Sequence, residues 1–248
     1  NFAETTNKGL LINEERVSTV SNQFHIRRCT AVAIDWPSLP TGDPALLGVT
    51  VAKHLQRVVK KAIDAGGVIE SLDPGYILVT FNSHFTCLMH EERATSFAMK
   101  ISKKLHRDAF VVIDTTDCCV GTVGAHGRRS RAVLGECIDT VRKLTALLRT
   151  YVTSKLLITE RCARGVSNRT FSLVDVVTPS WYQSDRARAI HLAVPSGIDL
   201  QTNTNGQIFT TTHKSAFSAL MRGNLAEAVS IWKTIDAWDT DAHIVRLV

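Results

Sequence analysis

The acidic residues are where chemistry would begin. Asp35 closes the apolar run 29-CTAVAID-35, and Asp73 opens the tripeptide Asp73-Pro74-Gly75 between two short apolar segments in 66-GGVIESLDPGYILVTF-81. One carboxylate at a strand end and another at a hairpin tip could hold a divalent cation through oxygen ligands. The tripeptide also has a plain conformational use, since Asp favours the first position of a turn, Pro presets φ at the next and Gly tolerates positive φ. Further along, Asp139 and Lys143 are four residues apart with the acid first. Their simplest account is an exposed ion pair on one helix face, of about 0.3 to 0.5 kcal/mol. Asp114 and Asp117 read as turn residues between two strands.

Other chemistries are excluded by pattern. The nine histidines form no HExxH or HxH pair, so zinc chemistry is not indicated. Six cysteines show no CxxC spacing, and the adjacent Cys118 and Cys119 fit a reduced, cytosolic state. No GxSxG or Walker sequence occurs in context, and Gly121-Thr122-Val123-Gly124 lacks the Gly-Lys-Ser/Thr of a phosphate loop. The tripeptide Asn168-Arg169-Thr170 matters only in a secreted chain. The net charge of +6 draws on Lys53, Arg57, Lys60 and Lys61 in one segment and Lys100, Lys103, Lys104 and Arg107 in another. Both lie on segments of helical period, so they read as solvated helix faces, and neither nucleic acid nor membrane contact is expected of this segment.

The 248 residues suit one large domain, or one domain with an appendage. No apolar run approaches the roughly 20 residues that cross a bilayer. The chain begins with Asn, so it is read as a piece of a larger protein, cytoplasmic or the cytosolic part of a membrane protein.

The elements that must carry these residues follow from periodicity. Residues 1–27 are polar and weakly patterned, an incoming linker segment, and 29–35 is a buried strand. Asp43 and Pro44 start a helix whose apolar positions Leu47, Val51, Leu55, Val58 and Ala62 recur until Gly66-Gly67 stop it. The hairpin follows, then a helix over 91–106, strands over 109–114 and 117–124, and a loop at Gly127, Arg128 and Arg129. A third helix spans 136–150, and strands are expected over 155–160, 171–177 and 189–194. The order β-α-β-β-α-β is the ferredoxin-like plan of an α+β domain, with helices over one face of an antiparallel sheet. Residues 200–212 have linker composition, and 213–238 form a helical hairpin split at Gly223-Asn224. The domains expected are thus 1–27 linker, 28–199 core, and 200–248 linker and helical extension.

Four segments in order, 29-CTAVAIDWPSL-39, 66-GGVIESLDPGYILVTF-81, 112-VIDTTDCCVGTVG-124 and 131-RAVLGECIDTVRKL-144, resemble the class III adenylyl/guanylyl cyclase homology domain. The likeness extends over about residues 28 to 195. It implies a cyclase-type fold and a dimer whose interface holds two metal ions on two carboxylates, an Asn and an Arg acting on ribose and phosphate, and a Lys with a polar partner at the purine.

Carried over position by position, the first metal carboxylate is Asp35, and the second falls on Gly75 when the hairpin is counted back from Phe81. The purine positions are Ser71 and Ala132. Anchoring on Tyr76 instead moves the hairpin positions to Pro74 and Glu70, which restores neither side chain. The Asn position is Asp139 and the Arg position Lys143, so a carboxylate would face an anionic nucleotide and a point charge replaces a bidentate fork. The loop expected to cradle the terminal phosphates reads Trp36-Pro37-Ser38-Leu39-Pro40, where Pro37 has no N–H to donate.

The resemblance therefore implies a degenerate cyclase-like domain, a pseudo-enzyme serving as a regulatory or structural dimerisation module, with no cofactor expected. Mg or Mn with ATP or GTP enters only if residual binding persists. The alternative is one half of an adenylyl or guanylyl cyclase, a phosphorus-oxygen lyase completed by a heterodimer partner. Expected partners are a copy of the chain or another cyclase-like domain, and other domains of a larger protein.

Overall fold

The structure is a computed structural model, and it describes residues 24–35, 44–73, 75–104, 109–125, 128–148, 156–169, 171–177, 190–195, 212 and 215–234. Strand β1 (His25–Asp35) is the axis of the sheet, and from Cys29 to Asp35 every residue is buried. Neighbours bond to it on both sides and helices cover both faces, which is why this stretch reads as an unbroken apolar run rather than an alternating one.

One antiparallel neighbour is β3 (Tyr76–Phe81), which sets Asp35 opposite Tyr76 and Thr30 opposite Phe81. The other is β4 (Phe110–Ala125), which sets Asp35 opposite Phe110 and His25 opposite Val120. Strand β2 (Gly67–Asp73) joins β3 through a tight hairpin, with Asp73 paired to Tyr76 as the turn chemistry predicts. Gly67 is required there because a Cβ would stand 2.7 Å from Val79 Cγ1 and 3.1 Å from the Ala62 carbonyl oxygen. Strand β5 (Arg128–Leu134) folds back antiparallel on the last part of β4, while β6 (Leu156–Thr159) runs parallel to its first part. With β7 (Phe171–Val177) and β8 (Ile190–Pro195), the strands form one eight-stranded sheet in the order β2-β3-β1-β4-β6-β8-β7, β5 lying off that path against β4.

The first four strands, with α1 (Pro44–Asp64) and α2 (His90–Ser102), form the βαββαβ unit expected of an α+β ferredoxin-like domain. Gly66 ends α1 at φ 86°, in the left-handed region that glycine enters without penalty. Helix α3 (Glu136–Leu148) follows β5, α4 (Glu160–Ala163) is a single turn after β6, and α5 (Leu225–Trp232) follows a helical stretch over 215–221. Gly223 at φ 79° and the Asn224 side chain, which accepts from the Glu227 amide at 3.2 Å, make the break expected at Gly223-Asn224. Among the described residues no helix is long and apolar enough to cross a membrane.

Three expectations change. Residues 110–125 are one continuous strand, so Asp114 and Asp117 are not turn residues; the β-branched Thr115 and Thr116 carry the extended backbone through, and Asp114 is fully buried. Arg128 and Arg129 belong to β5 rather than to a loop, because the far half of β4 needs a partner on the edge that β6 does not reach. Helices also cover both faces rather than one. On the first, Val58 and Ala62 of α1 and Phe97 and Ile101 of α2 pack on Val32, Ile34, Val79 and Phe81. On the second, Cys137, Val141 and Leu144 of α3 pack on Ala31, Ala33, Leu78 and Val112.

Two polar networks tie these layers together. Arg161 on α4 clasps Asp114 in a bidentate fork, Nε to Oδ1 at 2.6 Å and Nη2 to Oδ2, while Thr159 donates to Oδ1 at 2.5 Å. The same guanidinium reaches Glu136 Oε1 on α3 at 3.0 Å. Burial works against the charge on Arg161, but Asp114 and Glu136 outweigh it and hold its pKa above the ordinary value. On the other face, buried His90 Nδ1 is hydrogen-bonded to Thr30 Oγ1 at 2.7 Å, Thr30 to Thr115 Oγ1 at 2.8 Å, and His90 Nε2 lies 3.2 Å from Glu91, which also holds Arg28.

Removing Arg161 as Arg161→Ala leaves Asp114 buried and uncompensated and should cost about 3 kcal/mol in urea unfolding, the low end of the range because the Arg161 side chain is 34% exposed. Gly135→Ala would set a Cβ 2.3 Å from Cys118 Sγ and 3.2 Å from its Cα. It should cost about 1 to 3 kcal/mol, and less in a Cys118→Ala background. His90 sits below its ordinary pKa, because burial and Arg28 outweigh Glu91. The unfolded chain thus takes up the proton first. Stability is full above the ordinary histidine range and falls as pH drops through it, a loss that His90→Gln should flatten in urea titrations between about pH 7.5 and 5.5.

Candidate functional site

The end of the sheet where β1 stops gathers the side chains that could do chemistry. Asp73, Tyr76, Asp35 and Phe110 are successive cross-strand partners on β2, β3, β1 and β4, so their side chains share one face in a single row. This is the face that α3 covers. Asp35 is 4% exposed at the end of its strand. Asp73 is exposed and accepts a hydrogen bond from Ser71 Oγ at 2.8 Å, so two of the residues singled out on the hairpin are bonded to each other.

Tyr76 stands between the two carboxylates, and sequence reasoning treated it only as an alignment anchor. Its hydroxyl is buried, with the Arg142 guanidinium of α3 as a polar neighbour. Burial pushes its pKa up to about 12, with Asp35 and Asp73 adding to the rise and Arg142 on α3 opposing it. Arg142 thus carries a guanidinium toward this row from the position just before Lys143. A helix turns about 100° per residue, so this one-residue offset aims a different side of α3 from the one the motif predicts.

Asp139 and Lys143 are exposed on α3, away from its buried Cys137, Val141 and Leu144. Glu136, at the start of the same helix, is paired with Arg161. Gly75 is half-buried at the hairpin tip, next to Tyr76. Ala132 lies on β5 opposite Gly121, toward the other end of β4 from Phe110, so the structure does not place it in the Asp35 row. Trp36, Ser38 and Pro74 lie outside the described residues. The alternative hairpin position, Glu70, is the extra residue of a bulge between Ile69 and Ser71. Its Oε1 accepts from Thr80 Oγ1 at 2.5 Å and lies 3.1 Å from His84 Nε2. Among the described residues, no three histidine, cysteine or carboxylate side chains converge as a metal-binding group.

A signal for half of the row existed in the sequence, since the turn fixes Asp73 opposite Tyr76, whereas the pairing of Tyr76 with Asp35 is a separate register between distant strands. What periodicity could not supply was Arg142, because side-chain reach from an exposed helix position depends on how α3 is docked.

No protein-family profile and no curated protein matches the chain. Solved structures do. The adenylyl cyclase CyaB from P. aeruginosa superposes with a TM-score of 0.59 at 15% identity, over 72% of this chain and 99% of that one. The guanylate cyclase domain of RhGC from Catenaria anguillulae, solved with GTP, gives 0.56 at 12% identity, over 69% and 97%. A dimeric guanylyl cyclase domain of the RhoGC fusion protein from Blastocladiella emersonii gives 0.55 at 13%, over 68% and 96%. At such identities the likeness is one of architecture: the chain has the fold of the adenylyl and guanylyl cyclase catalytic domains.

Proposed function

We propose that this chain is a catalytically degenerate cyclase-fold module that acts by pairing with another cyclase-like domain, a second copy or a relative, rather than by converting ATP or GTP to a cyclic nucleotide. The observation that carries the reading is the row at the end of β1. Asp35 is flanked there by the phenol of Tyr76, and the next carboxylate, Asp73, sits one strand further out, about 10 Å away between backbones. Two carboxylates bridging a pair of hard cations must bring their oxygens to within about 2 to 2.5 Å of the same ions. A buried tyrosine between them is a poor fit to that arrangement.

Two further features support it. Asp139 and Lys143 occupy the positions where the family resemblance implies Asn and Arg, and both stand exposed on α3. Pairing is a property that such a domain can retain without its chemistry, and of the similar guanylyl cyclase domains one is a non-canonical dimer and another a monomer. The competing reading, a half-site completed by a different domain, rests on Asp35 itself, a carboxylate kept at 4% exposure at the strand end where the first metal ligand would stand.

The test is a cyclase assay on the purified homodimer with ATP and GTP, each with Mg²⁺ or Mn²⁺, alongside analytical ultracentrifugation. Dimers without cyclic nucleotide are expected. Turnover by the homodimer would overturn the reading, and turnover appearing only with a co-purified second domain would favour the half-site.

A further inference from the structure

The two lysine runs that read as separate solvated helix faces in the sequence meet in the fold. Helices α1 and α2 lie side by side on the outer layer of one sheet face. Lys53, Arg57, Lys60 and Lys61 follow one another at helical spacing along α1. Lys100, on the last turn of α2, lines a concavity of about 590 Å³ with Lys61, and Lys104, just past the helix end, lies close enough to Lys61 to repel it. Half-buried Lys61 is held below its ordinary pKa by desolvation and by the repulsion of Lys104 and Lys100, with Asp64 opposing. The acids nearby are few. Asp64 and Glu92 line the concavity beside Lys61, Arg93 and Lys100, and Glu92 accepts from the Ser167 hydroxyl at 2.6 Å and amide at 3.2 Å, bonds that hold it below its ordinary pKa as a carboxylate, while Lys53, Arg57 and Lys60 add to the cationic side along α1. Cations outnumber acids along this face, and on a molecule of net charge +6 such an excess attracts an anionic partner.

A second, independent feature adjoins it. Arg93 lines both the lysine concavity and a neighbouring apolar groove formed by Ile63, Val68, Phe85 and Leu88. Around that groove Ile63 is 61% exposed, Phe85 62%, Leu88 74% and Met89 63%, a contiguous apolar tip beside the cations. Met89 breaks the local rules of its position. It is the N-cap of α2, where Ser, Thr, Asp or Asn would bond a free amide, yet it makes no cap bond and lies at φ 51°, a conformation that costs a side chain with a Cβ about 1 kcal/mol or more. An uncapped, strained methionine held out in solvent contributes nothing to the fold that explains it.

We propose that the α1–α2 face is a docking surface for an anionic lipid bilayer, the lysines lying over acidic headgroups while Leu88, Met89 and Ile63 enter the interfacial layer. Lysine is suited to this role because its ammonium is a point charge on a flexible stem that follows a fluid headgroup plane, and aliphatic side chains beside it supply the second signal that stable membrane binding needs. A nucleic acid fits less well. It has no use for exposed Ile, Leu and Met, and the one aromatic ring of the tip, Phe85, already has the Arg131 guanidinium over it, 5.0 Å from its centroid.

The full chain is to be sedimented with vesicles of phosphatidylcholine alone and of phosphatidylcholine mixed with phosphatidylserine. Binding is expected only to the mixed vesicles, falling as salt is raised. Lys61→Glu with Lys100→Glu should weaken it at least about tenfold. Met89→Asn separates binding from folding. Asn favours both the left-handed conformation and the N-cap, so the melting temperature should hold or rise while vesicle binding drops. Equal binding to neutral vesicles, indifference to the charge reversals, or no binding to anionic vesicles at low salt would each overturn the proposal. So would retention on a single-stranded RNA with none on vesicles, which would assign the face to nucleic acid.

Discussion

A carboxylate with no exposure to water can keep its charge only if a partner is brought to it, and Asp114 imposes that demand on the middle of the longest strand. Arg161 answers it, and in doing so fixes where β6 must end and α4 must begin, because Thr159 and Arg161 both reach the same carboxylate. The guanidinium then has donors left over. They go to Glu136 and Thr140 on α3, so one buried charge determines the seating of two later elements on β4. A fork of this type specifies an arrangement more than it adds net stability, since an apolar replacement of the whole group could pack as well.

The parts of the fold that were legible in the sequence are those set by local chemistry. The run 29–35, the apolar face from Val58 to Ala62, the glycine stop at Gly66 and the Gly223-Asn224 break each follow from rules that act within one element, and the structure has them. Asp73-Pro74-Gly75 joins β2 to β3 with the register a tight hairpin requires. What failed were inferences about charge inside strands. An Asp between β-branched residues reads as a turn because the Arg that satisfies it lies 47 positions away, and no window of sequence contains both. The strand character of Arg128 and Arg129 was hidden for a related reason, since it depends on which edge of β4 is left open by β6.

The candidate site divides along the same line. Asp35 at a strand end could be named from sequence, whereas the phenol beside it and the guanidinium above it could not, because both depend on how strands and a helix are stacked. Cysteine shows the contrast well. Spacing said only that no pattern was present, while the fold sets Cys118 and Cys137 with their sulfurs 3.3 Å apart in the joint where α3 meets β4. The Cys137 thiol is raised well above its ordinary range, first by its hydrogen bond to Cys118 and then by burial; on Cys118 the bond with Cys137 favours the thiolate, but the neighbouring Cys29 and burial outweigh it and push the thiol up to about 12. They act as packing groups there.

That joint gives β4 a mechanical character. The start of helix α3 is tied to two points of the strand on one face, at Asp114 through Arg161 and Glu136 and at Cys118 through the close approach of Gly135, about 13 Å apart along β4. Both ties fall at the first turn, so they fix where the helix starts, while Val141 and Leu144 pack its length on the sheet. Beyond the second attachment β4 continues into the arm it forms with β5, and before the first it is bonded to β1 residue by residue down to Asp35. One continuous backbone therefore carries the β5 arm at one end, the start of α3 in between and the partner of Asp35 at the other. A substitution that shifts the register of β4 would thus move the seat of α3 and the Asp35–Tyr76 row together.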